Sequence, residues 1–188
     1  MRLGLIAGNG RFPFLVLEAA RQLGRPVSVV AIKEEASPDL EDEVRKGDGR
    51  LEWIALGQLG KAIKYLKSEG VEEAVMAGQV KHAQIFRNVV PDMTLMQVIM
   101  RLSSRNTDAL ISAIAEVMKE KGITLIDSTA LLAPMLAGAG VLSSRAPTAE
   151  ETEDIAFGYR MADAIAGLDI GQTIAVKLKA VVAVEAME

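Results

Sequence analysis

The sequence predicts an α/β protein: a parallel, doubly wound sheet in the N-terminal part, then the start of a smaller, incomplete α/β unit. Three observations carry this. Short apolar runs alternate with amphipathic helical stretches up to about residue 126, and strands separated by helices pair in parallel through right-handed crossovers. Several of these strand-like runs end in glycine, amide or carboxylate residues, as turns at a sheet edge do. The last third then changes character. Residues 131–147 are rich in Ala, Gly, Leu and Pro, and only two strand-like runs follow, too few to bury a core alone.

Leu3 to Ala7 is a short apolar run closed by Gly8-Asn9-Gly10, and reads as a buried strand. Pro13 to Leu23 reads as a helix, with Pro13 in its first turn and Gly24 as its C-terminal cap. Pro26 to Ile32 is β-branched and reads as the second strand. Lys33 to Arg50 is highly charged and reads as a solvated loop with a short helix. Leu51 to Leu56 is the third strand. Gly57 to Glu69 is a helix with Leu59, Ile63 and Leu66 on one face, stopped by Gly70. Glu73 to Ala77 is the fourth strand. Met93 to Leu102 and Thr107 to Lys121 are helices, the second presenting Leu110, Ile111, Ile114 and Met118 to the core. Ile123 to Ile126 is the fifth strand. Thr148 to Ala166 is a helix opened by a capping box, Thr148 with Glu151. Thr173 to Lys177 and Ala180 to Val184 are the two late strands. The methionines fall mostly at helical core positions and read as packing. The predicted domains are 1–130 and 131–188.

Composition excludes several functions. Twenty-one Lys and Arg against 25 Asp and Glu leave a net charge of −4, with no basic tract to hold a nucleic-acid backbone. The absence of cysteine removes disulfides, thiolate metal sites and cysteine nucleophiles. A single histidine, His82, argues against a His-rich zinc centre. The N-terminal apolar run is too short for a signal-peptide core. The longest apolar stretch, Ala130 to Leu142, is broken by Pro134, Gly138 and Gly140 and falls short of the roughly 18 residues of a spanning helix. The expectation is a cytoplasmic protein.

In an open parallel sheet, ligands bind beyond the carboxyl ends of the strands. The residues there are Gly8-Asn9-Gly10, Lys33, Gly57-Gln58, Gly78-Gln79 with Lys81 and His82, and Asp127-Ser128. Small, amide, cationic and carboxylate groups on one rim suit a phosphate-bearing ligand. Pro13 stands where a dinucleotide fingerprint has its third glycine, and Lys33 precedes the acidic pair Glu34-Glu35, which disfavours a nicotinamide cofactor. Each candidate has a plainer alternative. The glycine loop is a phosphate contact or only a tight turn. Lys81 is an anion contact or a solvated lysine, and His82 a proton carrier or a surface residue. Asp108 is a ligand contact or a carboxylate offsetting its helix dipole. Asp127 is a rim ligand or an Asx turn. Glu185 and Glu188 are Mg²⁺ ligands beside phosphate oxygens, or a solvated tail.

Four phrases together resemble one family: IAGNGRFP, GQLGKAIKYLKSEGVEEAVMAGQVKH at 57–82, DALISAIAEVMKEKGITLIDST at 108–129 and LDIGQTIAVKLKAVVAVEAME at 168–188. The chain is similar to the LpxI-type UDP-2,3-diacylglucosamine diphosphatases of lipid A biosynthesis over nearly its whole length. The resemblance implies a Rossmann-like N-terminal domain, a C-terminal domain of its own fold, and a ligand between them. It implies hydrolysis of the substrate pyrophosphate to 2,3-diacylglucosamine 1-phosphate (lipid X) and UMP, with Mg²⁺ or Mn²⁺. By motif, Gly8, Asn9 and Gly10 become a substrate-contacting turn, Gln79, Lys81 and Asp108 line the cleft, and Gln172 and Glu185 come from the second domain. The implied partners are a UDP-diacylglucosamine-type lipid, the inner face of the membrane as a peripheral contact, and a second chain, either as a homo-oligomer or carrying the rest of the C-terminal domain.

Family chains are longer, and VEA-x-E there continues into Gly-Thr-Asp, whereas this sequence stops at Glu188. The family's main acidic residue is therefore expected beyond Glu188. Asn106-Thr107-Asp108 also stands where Gly-Asp-Asp is more usual. These departures lead to an expectation of negligible hydrolysis by the 188-residue chain alone. The alternative function is a non-catalytic Rossmann-like module for a nucleotide or sugar phosphate.

Overall fold

The computed structural model describes residues 1–80, 90–102, 107–168 and 170–185. The chain divides into two compact units, Met1–Leu136 and Ala137–Glu188. The first holds strands β1 (Leu3–Ala7), β2 (Val27–Ile32), β3 (Arg50–Ile54), β4 (Glu73–Ala77) and β5 (Thr124–Leu125). Its helices are α1 (Phe12–Gln22), α2 (Leu40–Arg45), α3 (Leu59–Ser68), α4 (Met93–Arg101) and α5 (Thr107–Glu120). The second unit holds α6 (Ala149–Gly167) and strands β6 (Thr173–Lys177) and β7 (Ala180–Glu185).

The five strands of the first unit form one parallel sheet in the order β3-β2-β1-β4-β5, as the alternation predicts. Side chains alternate across it. Leu3, Leu5 and Ala7 of β1 pack with Val16, Leu17 and Ala20 of α1 and Leu40 of α2. On the other face Val30, Ile32 and Ile54 pack with Ala62, Ile63 and Leu66 of α3, Leu95 and Val98 of α4, and Leu110 and Val117 of α5. Leu131 and Leu132 are buried in the first of these cores, which carries the unit past residue 130.

Some sequence expectations shift. β3 starts at Arg50, and β5 is only two residues long, pairing Thr124 with Glu73 and Leu125 with Ala74. The inward stripe of α5 is Leu110, Ala113, Val117 and Met118, while Ile111 is exposed. The stripe is centred on Leu110 and Val117; Ile111 lies with Ile114 and Met118 toward its edge, and of these three only Met118 is fully buried. Among the described methionines only Met118 is fully buried, and Met93, Met96, Met100 and Met135 are exposed. The α4 stripe that faces the core is Leu95 and Val98, which turns its methionines outward.

In the second unit α6 packs against a two-stranded antiparallel hairpin. Its turn residues Leu178 and Lys179 have φ of 51° and 57°, values that Asn-Gly usually supplies. The Asp154 carboxylate accepts hydrogen bonds from both turn amides, at 2.9 and 2.7 Å, which offsets that cost. The capping box at Thr148 forms as expected, and Glu151 also receives a two-pronged contact from Arg145. Arg145 and the Thr148 N–H hold the Glu151 carboxyl down to about 2. A depressed carboxylate contributes stability above its unfolded value, and that contribution is lost as pH falls through the folded one. The Glu151 carboxyl carbon is therefore expected to titrate near pH 2 by NMR, with fraying of the first turn of α6. Arg145→Ala should return that midpoint toward the ordinary glutamate value. An unchanged midpoint would exclude Arg145 as the cause.

Candidate functional site

Because all five strands are parallel, Gly8, Lys33, Gln79 and Asp127 follow the carboxyl ends of β1, β2, β4 and β5 on one rim. Gln58, between β3 and α3, shares it. The loops after β1 and β4 are tied together directly. Asn9 N–H donates to the Gln79 carbonyl at 2.8 Å, and Gln79 N–H donates back to the Asn9 carbonyl at 3.0 Å. Gly8 N–H donates to the Ala77 carbonyl at 2.9 Å. The two backbones are so close that a Cβ on Gly8 would lie 2.4 Å from the Gln79 carbonyl oxygen, and one on Gly78 would lie 2.5 Å from the Asn9 oxygen. Gly8 and Gly78 are thus demanded by backbone geometry alone. Gly10 is exposed, and its N–H donates to Asn9 Oδ1 at 2.7 Å.

Helix α1 opens directly after this double loop. No side chain caps it, and its first turn holds no acidic residue. The positive end of its dipole faces the loop uncompensated, a setting that favours an anion. The neighbouring helices are different. Asp92 caps α4, accepting from Thr94 N–H at 3.0 Å and Leu95 N–H at 2.9 Å, and its other oxygen accepts from Gly60 N–H in the first turn of α3 at 2.7 Å. One carboxylate therefore serves two helix N-termini on the rim. Sequence reading did not single out Asp92. Its signal was an aspartate immediately before an apolar helical run, and its reach to α3 has no sequence signal.

The remaining candidates separate. Asp127 accepts from the N–H and hydroxyl of Thr129 at 2.7 and 2.8 Å, so the Asx turn weighed above is what forms. Those bonds lower its carboxyl below the usual aspartate value, the backbone N–H contributing most. Asp108 is exposed in the first turn of α5. Glu34 uses a carboxylate oxygen to accept from Leu56 N–H at 3.1 Å, which ties the ends of β2 and β3. In the second unit Thr173 pairs with Glu185 across the hairpin, which puts the preceding Gln172 and Glu185 at the same open end. Lys81, His82 and Glu188 lie outside the described residues. Among the described residues no three His, Asp or Glu side chains converge as a metal site would require, and no helix is long and apolar enough to cross a membrane.

Comparison with known proteins decides the family. Residues 2–146 match the LpxI N-terminal domain, and residues 138–188 match the LpxI C-terminal domain. This chain belongs to the LpxI family. The UDP-2,3-diacylglucosamine pyrophosphatase LpxI of Caulobacter vibrioides is 30% identical over 190 residues, a match that takes in 100% of this chain and 65% of that protein. The chain thus spans about two thirds of the length of this LpxI relative. Its parallel sheet lies wholly within the part that matches the LpxI N-terminal domain, and the α6–hairpin unit within the part that matches the LpxI C-terminal domain.

Proposed function

We propose that this chain acts in UDP-2,3-diacylglucosamine hydrolysis: water adds to one phosphorus of the pyrophosphate, and 2,3-diacylglucosamine 1-phosphate and UMP are released. The observation that supports this most is the interlocked Asn9–Gln79 double loop beside the uncapped start of α1, in a chain of the LpxI family. Pyrophosphate cleavage requires donors fixed where negative charge develops. The N–H groups of Gly8, Asn9 and Gly10 are already taken up by Ala77, Gln79 and the Asn9 side chain, so the loop is held without ligand. The donors offered to an anion are the Asn9 and Gln79 side-chain amides and the uncapped first turn of α1. In this reading Asn9, Gly10 and Gln79 meet the polar head of the lipid, with Lys81 as an added cation and Asp108 at the start of α5. Gln172 and Glu185 remain candidates on the family motif alone. Mg²⁺ or Mn²⁺ belongs to the family-based expectation, with Glu185 and Glu188 as candidate ligands. The described carboxylates do not compose such a site by themselves, and no step here is assigned to a metal.

Calorimetry with UDP-2,3-diacylglucosamine, lipid X and NAD tests this, with UMP release measured alongside. Binding of the two acylated ligands and not of NAD is expected. Tight NAD binding with no response to either lipid would overturn the reading.

A further inference from the structure

The sheet face beneath α3, α4 and α5 is covered unevenly. At the level of Gly4 the helix layer is tight: a Cβ there would lie 2.9 Å from Val71 and 3.3 Å from Leu66. One level nearer the carboxyl edge, Val30, Ile6 and Met76 stand side by side on β2, β1 and β4. Here the helices leave a cavity of about 90 Å³. Ile6 and Met76 line it and are only half-buried, although neither sits on an edge strand. The inner wall is Ile54, Ala62, Leu95 and Leu110, all buried. The outer lining is half-buried Leu56 and Val80 with exposed Gln58, all at the carboxyl edge. Gln58 is the only polar side chain among the described lining residues.

Such a lining cannot satisfy a base, a sugar or a phosphate, each of which needs hydrogen-bond partners when buried. It is also too apolar to hold water well. Hydrocarbon is the chemistry that fits. A 150 Å³ apolar cavity accommodates a six-carbon ring, so about 90 Å³ accommodates about three or four carbons on that scale. The position is informative too. Ile6 lies two residues before Gly8, and Val80 directly follows Gln79. The cavity therefore sits beneath the double loop assigned to the polar head.

We propose that this cavity receives the terminal methylenes of one acyl chain of the lipid and thereby limits acyl length. The proposal rests on the diacylglucosamine reading above. The test is calorimetry on the full chain with 2,3-diacylglucosamine 1-phosphates of graded acyl length, and with 1-decanol as a bare alkyl probe. Wild type is compared with Ala62→Leu, which adds three carbons to the cavity wall, and with Met76→Phe, each checked for folding by thermal melt. Affinity in the wild type should rise with chain length to an optimum, at about fourfold per methylene. Ala62→Leu should move that optimum about three carbons shorter and weaken the longest lipid by tens of fold. Decanol should bind the wild type and be expelled from the filled variants. An optimum that stays put in both folded variants, with decanol unaffected, overturns the proposal. Decanol lost on filling while no glucosamine lipid binds at any length would support a hydrocarbon site here and overturn the substrate reading instead.

Discussion

Gly78→Ala is expected to lower the stability of the N-terminal unit by about 3 kcal/mol or more and to abolish ligand binding. Two costs add. The residue has φ of 93°, where a side chain is strained by about 1–2 kcal/mol. The new Cβ would also lie 2.5 Å from the Asn9 carbonyl oxygen, which forces the β1 and β4 loops apart and breaks the paired Asn9–Gln79 hydrogen bonds. In a domain of this size about 3 kcal/mol corresponds to a fall in Tm of roughly 6–12 °C. Gly8→Ala should behave alike, since its Cβ would meet the Gln79 oxygen at 2.4 Å. Gly10→Ala is the control. Its φ is 91° but nothing lies within 4 Å of its Cβ, so only the local strain of about 1–2 kcal/mol should appear. Thermal melts of the three variants would check this. Equal losses at Gly10 and Gly78 would show that loop contact contributes nothing.

This pair also shows where sequence reading stops. The G-N-G after β1 was legible as a turn at a strand end, because glycine after an apolar run is a local signal. Its reason was not. Gly8 is glycine because a loop about 70 residues away crosses it, and no local pattern records that approach. The sheet itself was legible for a simple reason. Each strand is an apolar run bounded by charged or turn residues, and alternation with helices restricts the pairing to parallel. On α5, Ile111 and Met118 share nearly the same angular position at the edge of the stripe, and the hydrophobic period alone does not say which of the two the core covers. The exposed methionines of α4 were misread because hydrophobicity alone does not say which side of a helix faces the sheet. Among site residues, the rim positions followed from topology once the sheet was known. Whether a rim carboxylate faces a ligand or its own backbone was not legible: Asp127 turned to Thr129, two residues on, an interaction as local as any alternative. The apolar cavity is a property of helix spacing over the sheet, and spacing of that kind has no one-dimensional trace.

Asp92→Ala is expected to cost about 2–3 kcal/mol, a large loss for a partly exposed residue, because it uncaps two helices at once. Within α4 it removes the acceptor for Thr94 and Leu95. Across the rim it removes the only side-chain acceptor described for Gly60 N–H, since Gln58 at the start of α3 makes no capping bond. Gly60 is itself held close: a Cβ there would lie 2.6 Å from Thr94 Oγ1, so α3 and α4 meet nearly backbone to side chain at this point. Those two helices supply Leu59, Ala62 and Leu95 to the apolar cavity. Loss of the shared carboxylate should therefore loosen the helix layer as well as destabilise it. Asp92→Asn keeps one carbonyl acceptor and the shape, so it should retain the α4 cap and lose the charge-assisted bond to Gly60, for about half the cost. Amide hydrogen exchange discriminates the two parts. In the alanine variant, protection should fall at Gly60, Thr94 and Leu95 together; in the asparagine variant it should fall at Gly60 alone. Loss confined to α4 in both variants would mean that the bond to α3 contributes nothing to holding the two helices together.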